Sequence, residues 1–243
     1  MSDPPSSNRN FHFPTRTLSI YSLKGLDDII ESLKSTPDFK QTNKINILEN
    51  EAIEDEYDDK YGEERFLTKA EREERDSKLS LQISHNMGAI LDIIQAENGL
   101  KEFTWENLFH KPRDSQVFWD ALWRSSKSLE KLNLVFNPHE LHRIAELSGP
   151  TEKFAVLKTL CVDARGAHGD NGAFLSKLLR ACPAIEELTL SFPNCDLEDC
   201  RIRNITWDFT FPSLKSFTFH GYGPDEVTFS SFLARHPGIK TLV

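Results

Sequence analysis

No stretch of this sequence is apolar for long enough to cross a bilayer, which takes about 20 residues. The opening MSDPPSSNRN lacks the charged-then-apolar pattern of a secretory signal. These absences predict an intracellular protein, cytoplasmic or nuclear, with no membrane partner. Cysteine is scarce, and Cys161, Cys182, Cys195 and Cys200 show neither metal-ligand spacing nor a dense disulfide pattern, which suits a reducing compartment. Basic residues are outnumbered: 29 Lys and Arg against 38 Asp and Glu leave a net charge of −9. Nucleic acid is thereby excluded as a main partner, because phosphate binding needs a basic patch.

Catalytic signatures are missing too. His139-Glu140-Leu141-His142 places two histidines three apart, whereas a zinc-protease helix needs them four apart. Ala164–Ala173, ARGAHGDNGA, bears glycines but lacks the Lys-Ser/Thr of a phosphate loop and reads as a strand-to-helix turn. Cys195 and Cys200 read as free thiols. No Ser/His/Asp or paired-carboxylate arrangement stands out. The expectation is a protein that is not an enzyme, with no catalytic residues, no cofactor and no metal.

What the chain does have is a repeat. LKEFTW from Leu100, LEKLNL from Leu129, LKTLCV from Leu157, IEELTL from Ile185, LKSFTF from Leu214 and IKTLV from Ile239 share apolar residues at positions one and four, and at six where the copy reaches it. Their starts are 29, 28, 28, 29 and 25 residues apart. Two weaker copies, TRTLSI from Thr15 and TNKINI from Thr42, lie 27 apart, and a gap of 58 separates Thr42 from Leu100. Positions four and six share one face of a strand. A period of 20–29 with L-x-x-L-x-L is the leucine-rich-repeat signature.

Between the strand motifs, apolar residues switch to helical spacing. The stripes are Leu26, Ile29, Ile30 and Leu33; Ile83, Met87, Ile90, Leu91 and Ile94; Phe174, Leu175, Leu178, Leu179 and Cys182; and Phe229, Phe232 and Leu233. The period is expected to change from 2 to 3.6 within every unit. Pro183, Pro212 and Pro237 each stand two residues before a motif and stop the incoming segment. Asn137-Pro138-His139-Glu140 reads as a helix start. Trp119 and Trp123, four apart on one helix, are expected to face partly outward beside a Phe118/Ala121/Leu122 core stripe, where an insertion could pack on them.

The predicted fold is therefore α/β, a leucine-rich-repeat solenoid with parallel strands on the concave face and helices on the convex face. Residues 1–14 form a disordered tail, and residues 15–243 form one repeat domain. That domain carries an acidic insertion at about 50–78 and an incomplete last repeat, since IKTLV stops after the fifth position. The alternative weighed is an ordinary α/β domain with accidental periodicity.

The segments PTRTLSI, FWDALWRSSKSLEKLNLVF and FPSLKSFTFHGYGPDEVTFSSFLARHPGIKTLV resemble the repeat region of fungal F-box/leucine-rich-repeat proteins, over roughly residues 12–243. The resemblance implies repeats that hold a substrate for ubiquitination, in proteins whose N-terminal F-box docks on a ligase adaptor. Only 14 residues precede the first motif here, so a substrate-recognition region is implied rather than a complete ligase subunit. Adaptor binding is expected only if an F-box lies upstream.

Two surfaces are candidates for a protein partner. On the exposed side of the strands, positions three, five and seven provide a mixed polar row. It includes Tyr21, Asn46, Glu102, Thr104, Glu106, Lys131, Asn133, Thr159, Asp163, Glu187, Thr189, Thr218 and His220. The second is Glu49–Glu64, with nine acidic residues against one lysine, including Glu54, Asp55, Glu56, Asp58 and Asp59. It runs on into Lys69–Lys78, which has helix formers but no apolar face. A solvated loop and a contact for a basic protein are both open readings. The function expected is a non-enzymatic protein-interaction module. The alternatives are an acidic repeat protein binding a basic partner, and a truncated copy without retained activity.

Overall fold

The computed structural model describes residues 16–20, 30–32, 34–35, 44–49, 68–97, 99–107, 116–136, 154–164, 172–192, 205–221 and 225–243. Their strands are β1 (Arg16–Ile20), β2 (Lys44–Glu49), β3 (Glu102–Asn107), β4 (Lys131–Phe136), β5 (Thr159–Ala164), β6 (Glu187–Ser191), β7 (Ser216–His220) and β8 (Thr241–Leu242). Their helices are α1 (Lys69–Glu97), α2 (Gln116–Arg124), α3 (Gly172–Ala181) and α4 (Glu226–Ala234), with a 3-10 turn at Ser125–Lys127 following α2. The strands form one sheet in sequence order, β1 to β8, and every neighbouring pair is parallel. The α/β class is as expected, and each of the eight motif copies forms a strand of this sheet.

Register follows the motif. Position four aligns Ile45, Phe103, Leu132, Leu160, Leu188, Phe217 and Leu242, and position six aligns Ile47, Trp105, Leu134, Val162, Leu190 and Phe219. From Phe103 to Phe217 the position-four residues are all buried. The first pair departs from expectation. Leu18 lies opposite Ile47, not Ile45, so β1 sits two residues further along than the 27-residue spacing implied. A shift of two leaves the alternation of faces intact, so the apolar pattern alone does not distinguish the two registers.

The same turn chemistry repeats ahead of five strands. The carbonyl at motif position two accepts two N–H groups from the next unit: Lys101 from Glu130 and Lys131, Glu130 from Lys158 and Thr159, Lys158 from Glu186 and Glu187. Glu186 and Lys215 continue the series onto the starts of β7 and β8. Each strand start is thus pinned to its predecessor before the ladder begins. This satisfies backbone groups that would otherwise be orphaned.

Helices cover one side of the sheet. Thr68 caps α1 through a reciprocal pair: Glu71 N–H donates to Thr68 Oγ1, and the Glu71 carboxylate accepts from Thr68 N–H and hydroxyl. Gly99, at φ 72°, turns the chain out of this helix. Lys69–Lys78, assigned by sequence to the insertion, is therefore the start of a 29-residue helix. Its Lys69, Glu71, Glu74 and Lys78 are exposed, so no apolar face is needed there: the helix continues from its packed C-terminal half. That half buries Met87, Ile90, Leu91 and Ile94, as the spacing predicts. Residues 50–67 lie outside the description, as do the tail 1–14, Leu26, Ile29, Leu33 and the Asn137–Glu140 cap.

Trp119 and Trp123 do not face outward. They are 0% and 5% exposed. Trp119 meets Trp105 at 5.6 Å and Phe174 at 5.7 Å, and Trp123 meets Phe154 at 5.7 Å. Helix α2 has only nine residues. Its i, i+3, i+4 set of Trp119, Leu122 and Trp123 faces the core, while Asp120 and Arg124 take the outside. Arg124 then forks onto Asp92 of α1 at 2.8–3.0 Å.

One described stretch of the cover is not helical. Between β6 and β7, residues 205–211 lie in neither helix nor strand, and burial alternates as along an extended chain: Ile205, Trp207, Phe209 and Phe211 in, Thr206, Asp208 and Thr210 out. The described residues of this connection, 205–215, include no helix, and residues 193–204 lie outside the description. Ile-Thr-Trp-Asp-Phe-Thr-Phe has the period of a strand, and its four large side chains cover the core here. Trp207 meets Phe217, Phe219, Phe229 and Phe232 edge-on at 5.3–6.2 Å.

Candidate interaction surface

The side of the sheet away from the helices presents three aligned rows. Position three runs Lys44, Glu102, Lys131, Thr159, Glu187, Ser216, Thr241. Position five runs Asn46, Thr104, Asn133, Cys161, Thr189, Thr218, and position seven Leu48, Glu106, Val135, Asp163, Ser191, His220. With neighbouring strands about 4.8 Å apart, seven steps make a face about 34 Å across. The alternation that buries positions four and six is what places these residues opposite the core.

The expected row residues from Asn46 to His220 are therefore brought together. Lys131, Glu187 and His220 are exposed; Asn46, Glu102, Thr104, Glu106, Asn133, Thr159, Asp163, Thr189 and Thr218 are half-buried. Tyr21 lies outside the described residues, as do Glu54, Asp55, Glu56, Asp58 and Asp59 of the acidic segment. In β1, Thr17 stands level with Asn46 and Ser19 with Leu48, so β1 joins the position-five row one place off from the motif alignment.

Charges on this face are partly used up locally. Lys44 pairs with Glu102 at 2.5 Å, and the Thr159 hydroxyl donates to Glu187 at 3.4 Å. A further row at position two was not singled out by sequence, although its signal is plain: Lys101, Glu130, Lys158, Glu186, Lys215 and Lys240 alternate in sign through Lys215. Lys101 bonds Glu130 at 2.9 Å, and Lys215 bonds Glu186. The Lys101 hydrogen bond holds the Glu130 carboxyl below its ordinary value, with smaller help from Lys158 and Lys44. Lys215 does the same for Glu186.

Cys161 sits mid-face between Asn133 and Thr189. Burial raises its pKa, and Asp163 raises it further against the opposing charge of Lys131. A thiol so held is a poor nucleophile. Cys161 and Cys182 are both free, while Cys195 and Cys200 lie outside the described residues. Asn133 Oδ1 is shielded from solvent and receives no hydrogen bond among the described residues. Among those residues no group of three or more His, Cys, Asp or Glu could hold a metal ion. No described helix is long and apolar enough to cross a membrane.

The face can offer a protein partner short polar side chains flanked by charged ones. Its described row residues include no Trp, Tyr or Phe, anchors of the sort that dominate binding energy. Searches against protein-family models, curated proteins and solved structures gave no match.

Proposed function

We propose that this chain is a leucine-rich-repeat solenoid acting as a non-enzymatic protein-interaction module, with its partner held on the open face of the sheet. The observation that supports this most is the repeated register. One motif places position three, five and seven side chains in continuous rows from β2 to β7. Stacked units of this kind bury a common core, so face residues can vary without cost to it. The resemblance to F-box/leucine-rich-repeat proteins makes substrate recognition for a ubiquitin ligase the specific role we propose, with adaptor binding dependent on an F-box upstream.

The test is proximity labelling with the wild-type chain, repeated with Thr104→Arg/Thr189→Arg on the face and with Lys177→Glu on the outside of α3. Partners lost with the face variant and kept with the α3 variant are the expected result. Partners kept by the face variant but lost on deleting residues 51–67 would replace this reading with binding of a basic protein by the acidic segment. Partners indifferent to both changes would overturn the proposal.

A further inference from the structure

The extended cover at residues 205–211 depends on its neighbours for hydrogen bonds. A helix satisfies its own backbone; a lone extended segment does not. Thr206 N–H donates to Ser176 Oγ of α3 at 3.3 Å. On the other side, two consecutive residues after α4 take over: the Arg235 guanidinium donates to the Trp207 carbonyl, and His236 Nε2 accepts the Phe211 N–H at 2.8 Å.

His236 is 4% exposed. Its Nδ1 lies 2.7 Å from the Phe232 carbonyl, which can only accept, so Nδ1 carries the proton. Its Nε2 lies 2.8 Å from an N–H, which can only donate, so Nε2 carries none. Both nitrogens are used, and the ring is fixed as one neutral tautomer. A second proton would sit on Nε2 and point at the Phe211 N–H. That would leave two donors facing each other at a buried position.

We propose that His236 is an acid-sensitive latch, which when neutral holds the Ile205–Phe211 cover to the α4–β8 unit and on protonation lets both loosen. Among the described residues, the surrounding groups offer the cation little. In its own turn Arg235 is a like charge. On the packed segment, Asp208 is engaged by Arg180 at 3.0–3.1 Å. At the adjacent strand starts, Lys215 is bound to Glu186, and Lys240 is a further cation. From α4 and the segment come the rings of Phe232 and Phe211, at 4.3 and 5.7 Å. Their faces attract a cation, but they replace neither the lost acceptor nor the Phe211 partner. Burial lowers the ring's pKa from the ordinary histidine value. The Phe232 hydrogen bond works against that, and Arg235 adds to it.

The direction in pH follows. The unfolded segment takes up its proton near about 6.5, whereas the closed latch resists it. The latch's contribution is therefore complete above that value and is lost as pH falls from there through the lower folded value. His236 stands three residues before Ile239, as Phe154 and Phe211 stand before Leu157 and Leu214. A non-titrating ring occupies the same place in two other units.

The test is hydrogen exchange on the full chain from about pH 7.5 to about pH 5, corrected for intrinsic exchange. It compares the wild type with His236→Gln, whose amide donates and accepts at every pH, and with His236→Phe. In the wild type, protection at 205–211 and 226–243 should fall by up to about tenfold per pH unit below about 6.5. Protection in β3 and β4 should not follow. Both variants should be flat with pH; His236→Phe should be loosened throughout, because Phe211 N–H then lacks its acceptor at any pH. A flat wild-type profile, an unchanged pH dependence in His236→Gln, or an equal loss across the whole sheet would each overturn the latch.

Discussion

Two neighbouring covers do the same work by different means. Helix α3, between β5 and β6, buries Phe174, Leu175, Leu178 and Leu179 and bonds its backbone internally. The segment Ile205–Phe211, between β6 and β7, buries four large side chains in a shorter stretch but leaves its backbone to others. The helical cover is the more self-sufficient. The extended cover is tied by Ser176 to the unit before it and by Arg235 and His236 to the unit after it. Coupling between adjacent units should therefore be strongest where the cover is least regular.

The largest expected effect is from Trp207→Ala. Trp207 is 4% exposed and touches four phenylalanines. Truncating such a ring costs about 3–5 kcal/mol, to be read by urea unfolding. A loss below about 1 kcal/mol would mean the extended segment merely lies on the surface, and the comparison with α3 would collapse.

Ser176→Ala sharpens the comparison at the junction. It removes the hydroxyl that accepts from Thr206 N–H and should cost about 1 kcal/mol, with faster exchange at 205–211 and little change within α3. Lys177→Ala, exposed on the same helix, should stay within about 0.5 kcal/mol. Equal effects from the two would show that the extended cover does not rely on its neighbour.

Self-sufficiency of a helix stops at its ends. Thr68→Ala removes the cap of α1, and amides near Glu71 should exchange several-fold faster, on the order of fivefold. The global unfolding midpoint should hardly move, because the described residues of the first half of α1, Lys69 to Lys78, are exposed and Asn86 is the first described as buried. A large shift in that midpoint would show the first half of the helix to be packed.

The smallest effect concerns the position-two row. Lys101 and Glu130 are 40% and 44% exposed, so Lys101→Met should cost under about 0.5 kcal/mol after solvent screening. Because Lys101 holds the Glu130 pKa down, the contribution should be present above about pH 4.5 and vanish as pH falls through the lower folded value. A cost that persists below about pH 3 would point to packing of the lysine stem instead.

Much of the fold was legible in local order. Leu-x-x-Leu-x-Leu has a period of two and recurs at a nearly constant spacing, so it marks strands, their inward residues and their stacking order. The same parity placed Thr104, Asn133, Thr189 and Thr218 on the open face. Tertiary structure decided the rest, because those choices turn on what packs against what. Register in β1 slid by two residues, a change that parity cannot detect. Trp119 and Trp123 turned inward because Trp105, Phe154 and Phe174 of neighbouring elements enclose them. Lys69–Lys78 is helical because it extends a helix whose other half is packed. Ile205–Phe211 announced its extended form through alternating residues. That its hydrogen bonds come from Ser176, Arg235 and His236, 25 to 30 residues away, is a matter of long-range contact that no local pattern encodes.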